Sequence, residues 1–79
     1  MSRMKKYAED ARDVQVAAGL AAGHGTARDR LAAITVVFEQ CGDLARSYHT
    51  PHIVAGMLVH RAAEAFGQAV RAHRLVVAA

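Results

Sequence analysis

The sequence predicts an all-α fold: a compact three-helix protein with a long C-terminal helix, associating into a dimeric helical bundle. Alanine accounts for 18 of the 79 residues, and it loses no side-chain entropy in a helix. Two short segments rich in turn and cap residues divide the chain into three parts, and apolar residues recur at helical spacing in each part. The length indicates one small domain, residues 1–79.

The helix boundaries follow from the two dividing segments. In the first, Gly23 and Gly25 end a helix, and Thr26 caps the next one. Asp29 stands three positions after Thr26, which is close to a capping box, with Asp in place of the usual Glu or Gln. In the second, Thr50 precedes Pro51, and proline is favoured at the first position of a helix. We therefore expect helices at about 3–22, 27–48 and 51–77.

Two of these helices have one apolar face each, which we expect to be buried. The second helix has the clearer stripe, formed by Leu31, Ile34, Val37, Phe38, Cys41, Leu44, Ala45 and Tyr48. The face of the first helix consists mostly of small side chains, which allow neighbouring helices to approach closely: Met4, Tyr7, Ala8, Ala11, Val14 and Ala18.

The third helix has more apolar surface than two neighbouring helices can cover. Its apolar arc takes about half of the circumference, whereas a surface helix needs a stripe of about 100°. This arc contains Val54, Leu58, Val59, Ala62, Ala65, Phe66, Ala69, Val70, Val76 and Val77. Burial of this excess against another chain is favourable, so the sequence predicts a homodimer in which the third helices pack together.

The sequence predicts no catalytic residue, no cofactor and no metal site, and therefore no enzyme. Its single cysteine excludes a disulfide framework. Cys41, His49, His52 and His60 are candidate metal ligands by type, but Cys41 lies on an apolar face and His60 on a polar one. Acidic residues soon after the basic start argue against a leader peptide, and no apolar stretch is long enough for a bilayer. We expect a cytoplasmic protein.

The function that the sequence favours is binding to another protein. We expect an adaptor, regulator or inhibitor that occupies a partner's surface, as small accessory proteins of bacteria and phages do. The proposed binding surface is the polar side of the third helix, where Met57 and Leu75 interrupt a polar row. Its residues are Met57, His60, Glu64, Gln68, Arg71, Arg74 and Leu75.

Nucleic-acid binding is the alternative. The formal net charge is +3 and the isoelectric point is about 9.6. A partial helix-turn-helix pattern also covers Ala17 to Val36, although His24 and Thr26 occupy two positions that should be apolar. In this alternative the contacts to phosphate or bases come from Arg28, Arg30, Arg61, Arg71 and Arg74.

Overall fold

A computed structural model describes the backbone of residues 3–78 and the side chains of residues 3–73. Three helices make up this part of the chain, and no strand occurs in it: α1 (Arg3–Ala21), α2 (Ala27–Ser47) and α3 (His52–Ala78). The prediction of three helices and a long third one is confirmed. Helix α3 continues without a break through Gly56 and Gly67.

The turn between α1 and α2 contains the expected capping box. The Thr26 hydroxyl oxygen accepts a hydrogen bond from the Asp29 backbone N–H at 3.0 Å, and the Thr26 N–H donates to the Asp29 carboxylate at 3.4 Å. The Arg30 guanidinium donates to the carbonyl oxygens of His24 and Gly25 at 3.2 and 3.3 Å. The capping-box bonds satisfy backbone donors at the start of α2, and the Arg30 bonds satisfy carbonyl oxygens of the turn.

Helix α2 ends in a Schellman motif built without glycine. The His49 N–H donates to the carbonyl of Arg46 at 3.2 Å, and the Thr50 N–H donates to the carbonyl of Ala45 at 3.0 Å. His49 has φ of 51°, the left-handed conformation that this motif requires after the cap residue. The conformation costs a non-glycine residue about 1–2 kcal/mol. Position 49 is a histidine, so the glycine that usually indicates this motif is absent from the sequence.

The core consists mainly of small side chains. Its buried apolar residues are Ala18, Ala21, Ala22, Ile34, Val37, Cys41, Ala45, Leu58 and Ala62. Five of these nine are alanines, so the helices approach closely but remove little apolar surface from water per residue. Each helix packs against both of the others.

Helices α1 and α2 run antiparallel. The Arg3 guanidinium donates to the carbonyl of Ser47 at 3.3 Å, so the start of α1 meets the end of α2. Near the turn that joins them, Ala17 of α1 and Ala33 of α2 line the same hollow. A helix-turn-helix crosses its two helices at about 90–120°. The α1–α2 pair departs from that arrangement. The partial helix-turn-helix pattern over Ala17 to Val36 therefore occurs without the crossing of helices that defines a helix-turn-helix.

Four residues that we expected inside the core are exposed, among them Ala8 near the start of α1. Leu31 is 66% exposed because it lies about 60° around α2 from the buried Ile34. Met4 is 82% exposed because it lies in the first turn of α1, beside the turn that precedes α3. Val59 of α3 is also exposed, on a flank that the other two helices leave uncovered. The apolar stripes are therefore wider than the contacts that cover them.

The size of the core residues generates a stability prediction. Ala18 is completely buried, and an added side chain there forces α1 away from its neighbours. We expect Ala18→Leu to lower the free energy of unfolding by about 1–3 kcal/mol. Ala8 is exposed on the same helix, and Ala8→Leu should change it by less than about 0.5 kcal/mol. Urea unfolding followed by circular dichroism measures both variants, and equal stability would contradict the close packing.

Candidate functional site

A cluster of aromatic and charged side chains joins the start of α1 to the end of α2. The rings of Tyr7 and Tyr48 meet edge to face, with their centroids 5.2 Å apart. The Tyr48 hydroxyl donates to the Asp10 carboxylate at 3.0 Å, and the Lys6 ammonium contacts the other oxygen of Asp10 at 3.4 Å. The Arg3 guanidinium lies over the Tyr48 ring, 5.4 Å from its centroid. This cluster fixes the position of Tyr7.

The electrostatics of the cluster favour the form seen in the structure. Burial raises the pKa of the Tyr48 hydroxyl, and the hydrogen bond to Asp10 raises it further. The hydrogen bond with Asp10 is also the main cause of the raised pKa of Lys6. At neutral pH, Tyr48 is therefore a neutral donor and Lys6 a cation, and Asp10 accepts from both.

A shallow apolar groove begins beside this cluster and follows the seam between α1 and α3. It is formed by two hollows of about 280 and 200 Å³ that adjoin each other and share Tyr7 and Val54 in their linings. We call it the α1–α3 groove, and its lining is Arg3, Met4, Tyr7, Ala11, Tyr48, Thr50, Val54, Met57, Leu58 and Arg61. The two charged residues of this lining are both arginines.

Large apolar side chains on and beside the groove face solvent. Met4 lines the groove and is 82% exposed, and Met57 lines it and is 50% exposed. Ile53 is 75% exposed and precedes Met57 by one helical turn, so both lie on the same side of α3. Exposed apolar residues that are contiguous rather than scattered mark sites of interaction.

The structure places most of the surface predicted from the sequence along one side of α3. His60, Glu64, Gln68 and Arg71 are exposed, and His60 Nε2 lies 2.7 Å from a Glu64 carboxylate oxygen. Met57 links this row to the α1–α3 groove. Arg74 and Leu75 also belong to α3, but their side chains lie outside the described part of the chain.

Sequence reasoning missed two contributors to this surface, Met4 and Ile53. Met4 shares a helical face with the buried Ala18, and only the position of the α2–α3 turn leaves it uncovered. Ile53 carried a usable signal, because it precedes Met57 by four residues and both interrupt the polar side of α3. The hydrogen bond from Tyr48 to Asp10 had no sequence signal, since 38 residues separate the two.

The arginines of the nucleic-acid alternative have different surroundings. Arg30 is half-buried and its guanidinium is bound to two carbonyl oxygens of the α1–α2 turn. Arg61 lines the α1–α3 groove. Arg28 and Arg71 are exposed, on α2 and α3 respectively. Both hydrogen bonds come from one nitrogen of the Arg30 guanidinium, Nη1, so a contact to phosphate would use its remaining N–H donors.

The candidate metal ligands lie apart from one another in the described part of the chain. No group of three or more His, Cys, Asp or Glu residues comes together among these residues. Cys41 is buried in the core, and this burial raises the pKa of its thiol. The thiol is therefore protonated at neutral pH, and it is the thiolate that acts as a nucleophile or ligand.

A second exposed apolar surface lies on the opposite side of α1. Leu20 and Val36 line a hollow between α1 and α2, which we call the α1–α2 hollow. Val36 is 52% exposed, close to the value for Met57. The lining of this hollow contains no Asp, Glu, Lys or Arg, so it offers a partner no charge to pair with.

Comparisons with known protein families, with curated proteins and with solved structures gave no match for this chain. Within residues 3–78, none of the three helices combines the length and hydropathy needed to cross a membrane. The candidate site therefore rests on its own geometry, an apolar groove with an arginine towards each end.

The Tyr48 hydrogen bond generates a prediction with a defined pH dependence. Tyr48→Phe keeps the ring contact and removes the bond to Asp10, so we expect a lower urea midpoint at pH 7. Because the pKa of Tyr48 is raised in the folded state, its contribution is complete below the ordinary value of about 10. It is lost as the pH rises through the folded-state pKa. Above pH 10, the stability of the wild-type protein should therefore fall towards that of Tyr48→Phe, which lacks this contribution at every pH.

Tyr7→Phe is the matched control for this measurement. It also removes a phenolic hydroxyl, but this hydroxyl forms no hydrogen bond within the described residues. Equal urea midpoints for the two variants at pH 7 would show that the Tyr48–Asp10 bond contributes nothing to stability.

Proposed function

We propose that this chain is a non-catalytic interaction protein that binds another protein through the α1–α3 groove and the adjoining side of α3. One observation carries the proposal. Eight large apolar side chains of the described residues are exposed by 38% or more, while the buried core has only three of comparable size, Ile34, Val37 and Leu58. Such a surface suits an adaptor, regulator or inhibitor that acts by covering part of its partner.

Free-energy considerations support binding at the groove. Full burial of a side chain such as Met or Ile against a partner contributes about 1.5–3 kcal/mol. Met4, Ile53 and Met57 together therefore supply enough apolar surface for the centre of an interface. Around such a centre, interfaces have a polar rim that water can reach. The exposed row of His60, Glu64, Gln68 and Arg71 would supply this rim on one side.

The homodimer is part of the proposal and uses a different side of α3. Val59, Ala63, Phe66 and Val70 are spaced by four, three and four residues, which is the spacing of a coiled-coil seam. Val59 and Ala63 are exposed, and Phe66 and Val70 are only half-buried. We call these four residues the α3 seam. A second copy packed along the seam would leave the α1–α3 groove open.

Nucleic-acid binding is the weaker candidate, and its support is the basic charge alone. A net charge of +3 is ordinary for a protein of this size, and contacts to phosphate make affinity depend steeply on salt.

The predicted cytoplasmic location stays a prediction.

Affinity capture tests the proposed function. Immobilised wild-type protein should retain a partner from a lysate of its source cells, and Met57→Asp should lose it because a carboxylate is placed in the apolar groove. Val36→Asp makes the same change at a residue of matched exposure in the α1–α2 hollow. It should retain the partner. Quantitative mass spectrometry of the retained proteins measures all three.

Two results would contradict this function. One is that the wild-type protein retains nothing beyond what the bare matrix retains. The other is binding to duplex DNA of mixed sequence that persists at physiological salt and weakens for Arg71→Ala, with the salt slope reduced by about one.

Sedimentation equilibrium tests the homodimer. We expect a mass of twice 8.4 kDa for the wild-type protein at high micromolar concentration. Ala63→Glu places a charge in the α3 seam and should weaken the dimer at least tenfold. Ala72→Glu adds the same charge at another exposed position of α3 and should change the dissociation constant of the dimer less than about twofold. A mass of 8.4 kDa at every concentration would exclude the dimer.

A further inference from the structure

We propose that the α1–α3 groove binds an acidic amphipathic helix of the partner protein. The apolar ridge of that helix would lie against Met4, Tyr7, Val54 and Met57, and its carboxylates would bind the two arginines of the groove. This inference rests on the proposed function and specifies the chemistry of the partner. Binding of an amphipathic helix in an apolar groove is a recurrent mode of peptide recognition.

The charges of the groove determine the sign of the charge that a partner must carry. Its lining contains Arg3 and Arg61 and no carboxylate. Within the described residues, neither arginine forms an ion pair. Glu64, one turn beyond Arg61, has its carboxylate 2.7 Å from His60. A carboxylate supplied by a partner would therefore meet two cations that this part of the chain leaves uncompensated, at the edge of an apolar surface.

Arg3 is held in position for this contact. Its guanidinium lies over the Tyr48 ring, and one of its nitrogens donates to the carbonyl of Ser47. A guanidinium has five N–H donors in a fixed plane. Most of them remain available after the bond to Ser47, and part of the ordering that binding requires is already present.

The dimensions of the groove match a single short helix. From Arg3 to Ala11, α1 rises about 12 Å, which corresponds to two to three turns of a helix lying beside it. A stable interface between two globular copies buries about 800 Å² on each partner, more than a groove of this length provides. We therefore assign the groove to a helix of another protein and the α3 seam to the second copy.

The positions of the arginines define the pattern of the occupant. Arg3 lies where the groove begins on α1, and Arg61 lines its other hollow, on α3. The helix should present apolar residues at i, i+4 and i+7, with Glu or Asp before and after them. A basic helix with the same apolar residues would place like charges against both arginines.

A designed peptide tests the inference directly. The probe is a fluorescein-labelled helical peptide of about 14 residues, with Leu at i, i+4 and i+7 and Glu on both sides. Its control has Lys in place of every Glu. Fluorescence anisotropy with the full chain should give a micromolar dissociation constant for the acidic peptide and binding at least tenfold weaker for the basic one.

Two charge-reversing variants locate the binding site. Arg61→Glu should weaken binding of the acidic peptide at least tenfold. Arg12→Glu makes the same change at an exposed arginine of α1 that lies outside the groove lining and outside the adjoining row of α3, and should weaken binding less than about twofold. Circular dichroism of both variants confirms that the helices are intact.

Three results would overturn the inference: equal binding of the two peptides, equal effects of the two variants, or displacement of the wild-type dimer by the acidic peptide. The outcome is separate from that of the capture experiment. If Met57→Asp loses a natural partner and the acidic peptide does not bind, the proposed function stands and the acidic helix is wrong. If no protein is captured either, both fail.

Discussion

The close packing of three helices on small side chains is the constraint on which the rest of this structure depends. Ala18 and Ala62 are almost completely buried, and at these positions the helix axes can approach one another closely. Only three larger aliphatic side chains, Ile34, Val37 and Leu58, are buried with the alanines. Met4, Leu20, Leu31 and other large apolar side chains lie at the surface. The exposed apolar surface of the described residues follows from this distribution of side chains.

Polar contacts hold both ends of the helix bundle. At one end, the capping box of Thr26 and Asp29 and the Arg30 guanidinium hold the α1–α2 turn. At the other, the Tyr48 hydroxyl donates to Asp10 and the Tyr48 ring meets the Tyr7 ring edge to face. This second contact is also the wall of the α1–α3 groove, so that stability and the shape of the proposed binding surface depend on the same side chains.

The long third helix separates two proposed interactions. Its side towards α1 presents Met57 and Arg61 in the groove, and the α3 seam lies on another side of the same helix. A rigid helix presents both surfaces at once, so a dimer would offer two grooves to its partners. Two linked sites of modest affinity can bind a partner with two matching segments far more tightly than either site alone.

The sequence by itself determined the three helices, their ends and the capping box, because these depend on contacts between residues close in the chain. It also predicted more apolar surface on α3 than two neighbouring helices can cover, and Ile53, Met57 and Val59 of this helix are exposed. Only the tertiary structure decided which apolar residues are left outside. Met4 and Leu31 lie on stripes that are apolar in sequence, and their exposure depends on which part of each stripe the neighbouring helices cover. The groove exists for the same reason, since Arg3 and Arg61 are 58 residues apart and only helix packing brings them to one surface.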